Sequence, residues 1–194
     1  MLDCGCREVH RLSIATPQLD TARLFLRPLE MADAAAVQRV FPQWEIVRYL
    51  ASHIPWPYPA DAALTYFRDR ALPAIERGIE WHWSIRPKSA PDRLIGMISL
   101  MSRPDENRGF WLDPAWQGRG LMTEACEAVT EFWFDVLGYT VLRAPKAAAN
   151  TPSRRISARG GMRVIAVDER DYVSGRLRTE LWEITRDEWL ARRR

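Results

Sequence analysis

The sequence predicts a single layered domain of helices and strands, α/β or α+β in class, on three observations. Glu80 to Ile85 alternates apolar and polar side chains and, with two further strand-like segments up to Leu112, reads as an antiparallel meander. A long amphipathic helix follows directly, over roughly Gly118 to Leu137. Further strand-like runs close the chain, so strands outnumber helices toward the C-terminus. With 194 residues and 47% apolar side chains, the chain is long enough for one substantial core.

The elements follow in order. Residues 1–18 lack sustained periodicity and read as an N-terminal extension, although Val9, Leu12 and Ile14 could lie against the body. The domain itself spans 19–190, and 191–194 form a basic C-terminal tail. Thr21 to Leu29 is a first strand, with Leu24 and Leu26 on one face, Arg23, Phe25 and Arg27 on the other, and Pro28 at its end. Asp33 starts a short helix through Val37 and Val40 that Pro42 interrupts, and Ile46, Val47 and Leu50 suggest another helical turn. Pro55, Pro57 and Pro59 remove donors and fix the backbone, leaving an ordered loop that displays His53, Trp56 and Tyr58. Asp61 caps a helix carrying Leu64, Phe67, Leu72 and Ile75, which Pro73 bends or splits and Gly78 stops.

The meander comprises Glu80 to Ile85, Arg93 to Met101 and Arg108 to Leu112. In the long helix Leu121, Met122, Ala125, Val129, Phe132, Trp133 and Val136 make a broad apolar stripe, and Gly138 ends it. Thr140 to Ala144 is the next strand, followed by a short helix over Pro152 to Arg159, capped by Asn150 or Thr151 and ended by Gly160-Gly161. Arg163 to Val167 and Leu177 to Ile184 are the last strands, joined by a polar turn through Asp171 to Gly175. There is no internal repeat, coiled-coil heptad or domain linker.

Composition excludes several function classes. A formal charge of +3, with basic residues scattered except at the very end, does not draw a nucleic-acid footprint. Cys4, Cys6 and Cys126 are odd in number and argue for a reducing compartment rather than a disulfide framework. Cys4, Cys6 and His10 lack the spacing of a zinc knuckle, so no metal is expected. No apolar run approaches a membrane span, and Asp3, Arg7 and Glu8 spoil a signal peptide, so a cytoplasmic location is the expectation.

The chemistry concentrates in Gly109-Phe110-Trp111-Leu112-Asp113-Pro114-Ala115-Trp116-Gln117-Gly118-Arg119-Gly120-Leu121-Met122-Thr123-Glu124-Ala125. A strand reaches a turn, and two glycines bracket an arginine at the mouth of a helix. Consecutive N–H groups at such a start form a phosphate cradle. Joined to the opening Leu19 to Pro28, to Asn150-Thr151-Pro152-Ser153-Arg154-Arg155-Ile156 closing on Gly161-Met162, and to the ending Leu181 to Trp189, this stretch resembles the GCN5-related N-acetyltransferase superfamily. The resemblance covers about Leu19 to Trp189 and is greatest to the branch containing ribosomal-protein N-terminal acetyltransferases.

The resemblance implies a single-domain acyl-CoA N-acyltransferase fold, a mixed splayed sheet flanked by helices, with acetyl-CoA in the resulting V. It assigns Gln117, Gly118, Arg119, Gly120, Leu121 and Met122 to the pyrophosphate loop, and Phe110, Trp111 and Leu112 to the strand that pairs with the pantetheine arm. It makes Asn150 a cofactor contact and puts Ser153 near the thioester. Two departures stand out. Asn107 occupies the position where many relatives carry a glutamate base, and no tyrosine follows Asn150 at the distance of the usual general acid, which makes Ser153 the substitute candidate. Met162 replaces a common phenylalanine and reads as core filling.

Transfer to an amine needs a neutral nucleophile, a polarised thioester and a tolerated thiolate, and direct attack in a ternary complex can supply all three. Glu106 and Glu180 are the candidate bases, against solvated-carboxylate readings of each. Glu124 fits loop bracing better than proton transfer, and Cys126 fits a buried structural thiol better than a nucleophile. Trp44, His53, Trp56, Tyr58 and His82 are candidates for the acceptor pocket, with core packing as the competing reading for the aromatics and for His82. The expected acceptor is a primary amine on a peptide N-terminus or a small metabolite, with a homodimer compatible. A longer acyl group and a catalytically silent acyl-CoA-binding or protein-interaction domain are the alternatives.

Overall fold

The structure is a computed structural model that describes residues 14–193. Cys4, Cys6 and His10, and most of the expected extension, lie outside the described residues. A first antiparallel sheet runs in chain order: β1 (Leu19–Asp20), β2 (Leu24–Pro28), β3 (Glu80–Pro87), β4 (Gly96–Met101) and β5 (Arg108–Leu112). A second holds β6 (Val141–Ala147), β7 (Arg163–Tyr172) and β8 (Gly175–Thr185) in the order β6, β8, β7. The helices are α1 (Ala34–Val40), α2 (Trp44–Val47), α3 (Ala62–Tyr66), α4 (Leu72–Glu76), α5 (Leu121–Glu131), α6 (Thr151–Arg159) and α7 (Arg186–Ala191).

Strand alternation sorts side chains into two cores, one on each face of the first sheet. Trp81, Trp83 and Ile85 of β3 join Ile98 and Leu100 of β4 against Ala125, Val129 and Trp133 beyond the sheet. On the opposite face Met97 packs with Val37, Phe41, Val47 and Phe67 from the α1–α4 layer. The indole N–H groups of Trp81 and Trp83 donate to Ile14 O (2.8 Å) and Pro17 O (2.6 Å), so residues 14–17 are fastened to β3.

Several boundaries differ from the sequence expectation, each for a physical reason. The long helix starts at Leu121 rather than Gly118, because Gly118 and Gly120 both take φ of 75°. It ends in a wider π turn over Phe132–Val136. The Asp61 helix is not split: a π turn over Phe67–Ala71, in which Leu72 N–H reaches Phe67 O, joins α3 to α4 just before Pro73. A proline there has no N–H to lose from the ordinary four-residue ladder. β6 continues past Ala144 through Pro145 to Ala147, because its second edge is not paired beyond the first residues. The last hairpin is longer than expected, with Tyr172 opposite Gly175 and only Val173-Ser174 as its turn. α7, with a capping box between Thr185 and Glu188, was not anticipated.

Candidate active site

The phosphate loop is braced from behind. Asp113 caps the turn Pro114–Trp116 by accepting from Ala115 N–H (3.0 Å), and Gln117 Nε2 donates to Leu112 O (2.9 Å). Glu124, on the first turn of α5, accepts from Thr21 Oγ1 (2.5 Å), Arg23 N–H (2.7 Å) and Arg23 Nε (2.7 Å). Burial works against its charge, yet these donors outweigh it and hold the Glu124 carboxyl below the ordinary carboxylate range. Arg23 Nη1 in turn donates to Arg119 O (2.9 Å). The loop carbonyl is thus pulled back, while the N–H groups of Gly118, Arg119 and Gly120 have no acceptor among the described residues. Two left-handed residues beside a helix N-terminus make a nest of donors, the geometry that takes an oxyanion. The Arg119 guanidinium lies over the Trp116 ring at 5.1 Å, so its backbone rather than its charge belongs to the nest.

From this loop a gap runs between β5 and β6. The two strands form no ladder and meet at one point, where Asn107 N–H donates to Arg143 O (2.7 Å). The Asn107 side chain completes the vertex. Its Oδ1 accepts from Arg143 N–H (2.8 Å), and its Nδ2 donates to Met101 O (3.2 Å) and Arg103 O (2.7 Å). The carboxamide therefore makes the bond to β4 that its own backbone N–H has given up. β5 bonds β4 through odd positions, from Met101 N–H to Asn107 O (3.0 Å) at one end to Asp113 N–H to Ile95 O (2.8 Å) at the other. By alternation, the backbone groups of Arg108, Phe110 and Leu112 point into the gap. On the facing edge the groups of Arg143 and Pro145 do the same, and Pro145 has no donor there to leave unpaired.

On the α5 side the gap is walled by charge. Lys146 of β6 is only 7% exposed, and its Nζ sits 4.5 Å from the centroid of the Phe110 ring. Burial, then the charge of Arg108, pushes Lys146 down to about 7, with Cys126 opposing. Arg108, 5% exposed, donates to Thr130 Oγ1 (2.8 Å) and Met162 Sδ (3.2 Å), while its Nε is unpartnered. Met162 is therefore an acceptor as well as core filling. Cys126 is buried and its thiol pushed up by burial, which suits a structural thiol.

The opposite side carries aromatics. Trp111 meets Phe41 edge-on at 5.2 Å, and Phe41 meets Tyr58 at 5.0 Å. Trp44 and Trp56 pair at 5.7 Å and are exposed, as is His53. Burial raises the Tyr58 phenol to about 12, so it stays protonated. His82 is 2% exposed, with Nε2 2.7 Å from Glu80 Oε2 and Nδ1 without a partner. Arg103 pairs with the other Glu80 oxygen, and Ser99 stands opposite His82 on β4. The β7–β8 turn closes this side: Val173 N–H donates to Leu50 O (3.0 Å) and Ser174 Oγ to Arg48 O (2.6 Å).

The three sequence candidates for proton transfer have different surroundings. Glu180 is occupied by Arg154 (2.7 and 2.9 Å) and by the Trp182 indole N–H (3.1 Å). Ser153 is buried in the first turn of α6, its N–H donated to Asn150 Oδ1 (3.2 Å), which makes Asn150 a helix cap. Glu106 is open, 44% exposed and 3.9 Å from Arg103. Sequence reasoning missed Lys146 and the Glu80 partner of His82. Lys146 could have been found: it shares strand parity with apolar Leu142 and Ala144, in a chain that holds only two lysines.

A nest of backbone donors opens on an unpaired strand edge, and comparison with known proteins supplies the family. The model of the acetyltransferase (GNAT) domain family matches residues 23–163. This chain belongs to the GNAT family. A probable N-acetyltransferase of Bacillus subtilis (strain 168), YjcK, is 28% identical over 150 residues, covering 71% of this chain and 79% of its own. Among solved structures, RimL, a ribosomal L7/L12 alpha-N-protein acetyltransferase in complex with coenzyme A, superposes with a TM-score of 0.75 at 15% identity, covering 89% of this chain and 99% of that one. RimJ of Mycobacterium smegmatis, in complex with CoA-disulfide, gives 0.76 at 19% identity over 89% of each chain. The GNAT fold of two sheets splayed at β5 and β6 and flanked by helices is thus shared along almost the whole described chain. Among the described residues, no helix is long and apolar enough to cross a membrane, and no group of three His, Cys, Asp or Glu is poised for a metal.

Proposed function

We propose that this GNAT protein transfers an acetyl group from acetyl-CoA to a primary amine, with a peptide N-terminus as the acceptor and attack occurring directly in a ternary complex. One alignment carries the reading: the outward N–H groups of Gly118, Arg119 and Gly120 open onto the unpaired edge of β5, which leads to an aromatic face with an open carboxylate. That donor set fits a ligand with a pyrophosphate at one end and amide groups along its arm. Coenzyme A has both, and when loaded it supplies an activated thioester.

The chain's own residues would then divide the work. The N–H groups of residues 118–122 bind the pyrophosphate, with the partial positive charge of the α5 N-terminus behind them. Phe110 and Leu112 offer backbone groups to the pantetheine arm, and a β5 N–H polarises the carbonyl. Trp111 and Tyr58 wall the acceptor side, with Trp44 and Trp56 at its rim and His53 beyond. Glu106 accepts the proton of the amine, directly or through water, because of the two candidate carboxylates Glu180 is held by Arg154 and Trp182 whereas Glu106 is open. His82 is held by Glu80 and meets the Tyr66 ring edge-on at 6.5 Å. The likeness to RimL and to the Vibrio fischeri ribosomal-protein-S5-alanine acetyltransferase, which matches with a TM-score of 0.75, favours the peptide acceptor.

The test is free-thiol release from acetyl-CoA with and without N-terminal peptides, amino acids, polyamines and aminoglycosides. Release that depends on a peptide, with acetyl on its N-terminal amine, is expected. Release with small amines alone would overturn the peptide acceptor, and binding without any release would favour a silent acyl-CoA-binding domain.

A further inference from the structure

Lys146 is an unusual choice of residue. The sequence contains two lysines against twenty-six arginines, so positive charge is almost always placed on guanidinium. The exposed lysine, Lys88, sits over the Phe25 ring. Lys146 is instead buried at the gap between β5 and β6, with its ammonium on the Phe110 ring. Arginine stays charged at any ordinary pH, whereas lysine can surrender a proton when desolvated.

Nothing around Lys146 neutralises it. From β5 it faces the cation Arg108, and from α5 the neutral Cys126. Glu180 stands opposite on β8, but its carboxylate is bonded to Arg154 of α6 and to the Trp182 indole. No hydrogen bond from Lys146 Nζ is made among the described residues. Two neighbouring cations, both more than nine-tenths buried and neither paired with a carboxylate, define a site that prefers an anion. The gap they line is where the reading above puts the coenzyme A arm, and the anion that arises there is the leaving thiolate.

We propose that Lys146, with Arg108 behind it, is the catalytic group that receives the departing sulfur of coenzyme A. This inference rests on the acetyltransferase reading. As the amine nitrogen bonds to the carbonyl carbon and the C–S bond breaks, the electron pair stays on sulfur beside the Lys146 ammonium. Lys146 Nζ then gives that sulfur a proton, and the proton lost by the amine goes to Glu106 and on to solvent. Lys146 is reprotonated from solvent after the free thiol leaves. The role is the one left open by the absent tyrosine after Asn150. Its pH dependence follows from burial, which pushes the Lys146 ammonium down to about 7 and makes it a ready donor to an alkyl thiolate.

The two lysines make the test direct. The protein is labelled with 13C,15N-lysine and titrated by NMR alone, with coenzyme A, and with desulfo-coenzyme A, while Lys88 serves as the internal reference. Lys146 is expected to titrate near neutrality in the free protein and to shift upward by more than one pH unit with coenzyme A but not with the desulfo analogue. In parallel, Lys146→Met is expected to weaken coenzyme A binding about tenfold while desulfo-coenzyme A binds as before, which also shows that the variant folds. An ordinary titration of Lys146, or equal responses to both ligands, would overturn the sulfur role alone. Failure of both ligands to bind would overturn it together with the acetyltransferase reading.

Discussion

Asn107 carries three hydrogen bonds on one carboxamide and two more on its backbone. Read as sequence, it is a missing glutamate; in the fold it is the rivet that lets two sheets touch at a point and diverge. Asn107→Ala would leave buried carbonyl and N–H groups unpaired, at about 1–3 kcal/mol each. The expected outcome is a loss of about 3 kcal/mol, read as a lower midpoint in urea unfolding. Glu124 makes a second residue-scale case. Its pKa is lowered in the fold, so its contribution to stability is complete above the ordinary carboxylate range and is lost as pH falls through the depressed value. Glu124→Gln should therefore narrow the gap between melting temperatures at pH 7 and below pH 4. A gap as wide as in the unaltered protein would show that the Thr21 and Arg23 bonds contribute nothing through charge.

At the scale of elements, the loop before α5 makes the sharpest demand. Gly118 has open space where a Cβ would go, and Gly120 would set one 3.5 Å from Arg23 Nη2, so backbone conformation rather than crowding is the main obstacle at both. A left-handed alanine costs about 1–2 kcal/mol. Gly118→Ala and Gly120→Ala should each lower coenzyme A affinity about tenfold in calorimetry while the far-UV spectrum stays unchanged.

The same loop marks how far the sequence could be read. The strand β3 was legible because Trp81, Trp83 and Ile85 alternate with polar residues, and the cradle because two glycines flank Arg119. The π turns at 67–71 and 132–136 were not legible, since they change hydrogen-bond spacing without interrupting the apolar stripe. The wall of the gap went unread because the strand was expected to end at Ala144, two residues before Lys146, and because the splay depends on a bond between Asn107 and Arg143, 36 residues apart in sequence.

At the scale of the whole molecule, the function lies in what the two sheets do not share. Side chains of both sheets, Ile98 and Leu100 of the first and Leu142 and Ile184 of the second, share one core with α5, but between the strands the joint is a single point at Asn107 and Arg143, reinforced across the acceptor side by the β7–β8 turn on residues 48–51. A ligand filling the gap adds contacts to both sheets at once. Coenzyme A at a hundred times its Kd should stabilise the fold by about 2.7 kcal/mol. For a chain of this length that corresponds to a rise of roughly 5–10 °C in Tm, readable by calorimetry. No rise would mean that nothing binds in the gap.

The most direct measurement is a crystal structure with coenzyme A and an N-terminal peptide bound together. Pyrophosphate oxygens are expected on the N–H groups of Gly118 to Met122, the arm along Phe110 and Leu112, the sulfur beside Lys146, and the peptide amine on the Trp111 side of β5. Coenzyme A bound away from this loop, or a peptide amine on the α5 side, would contradict that placement.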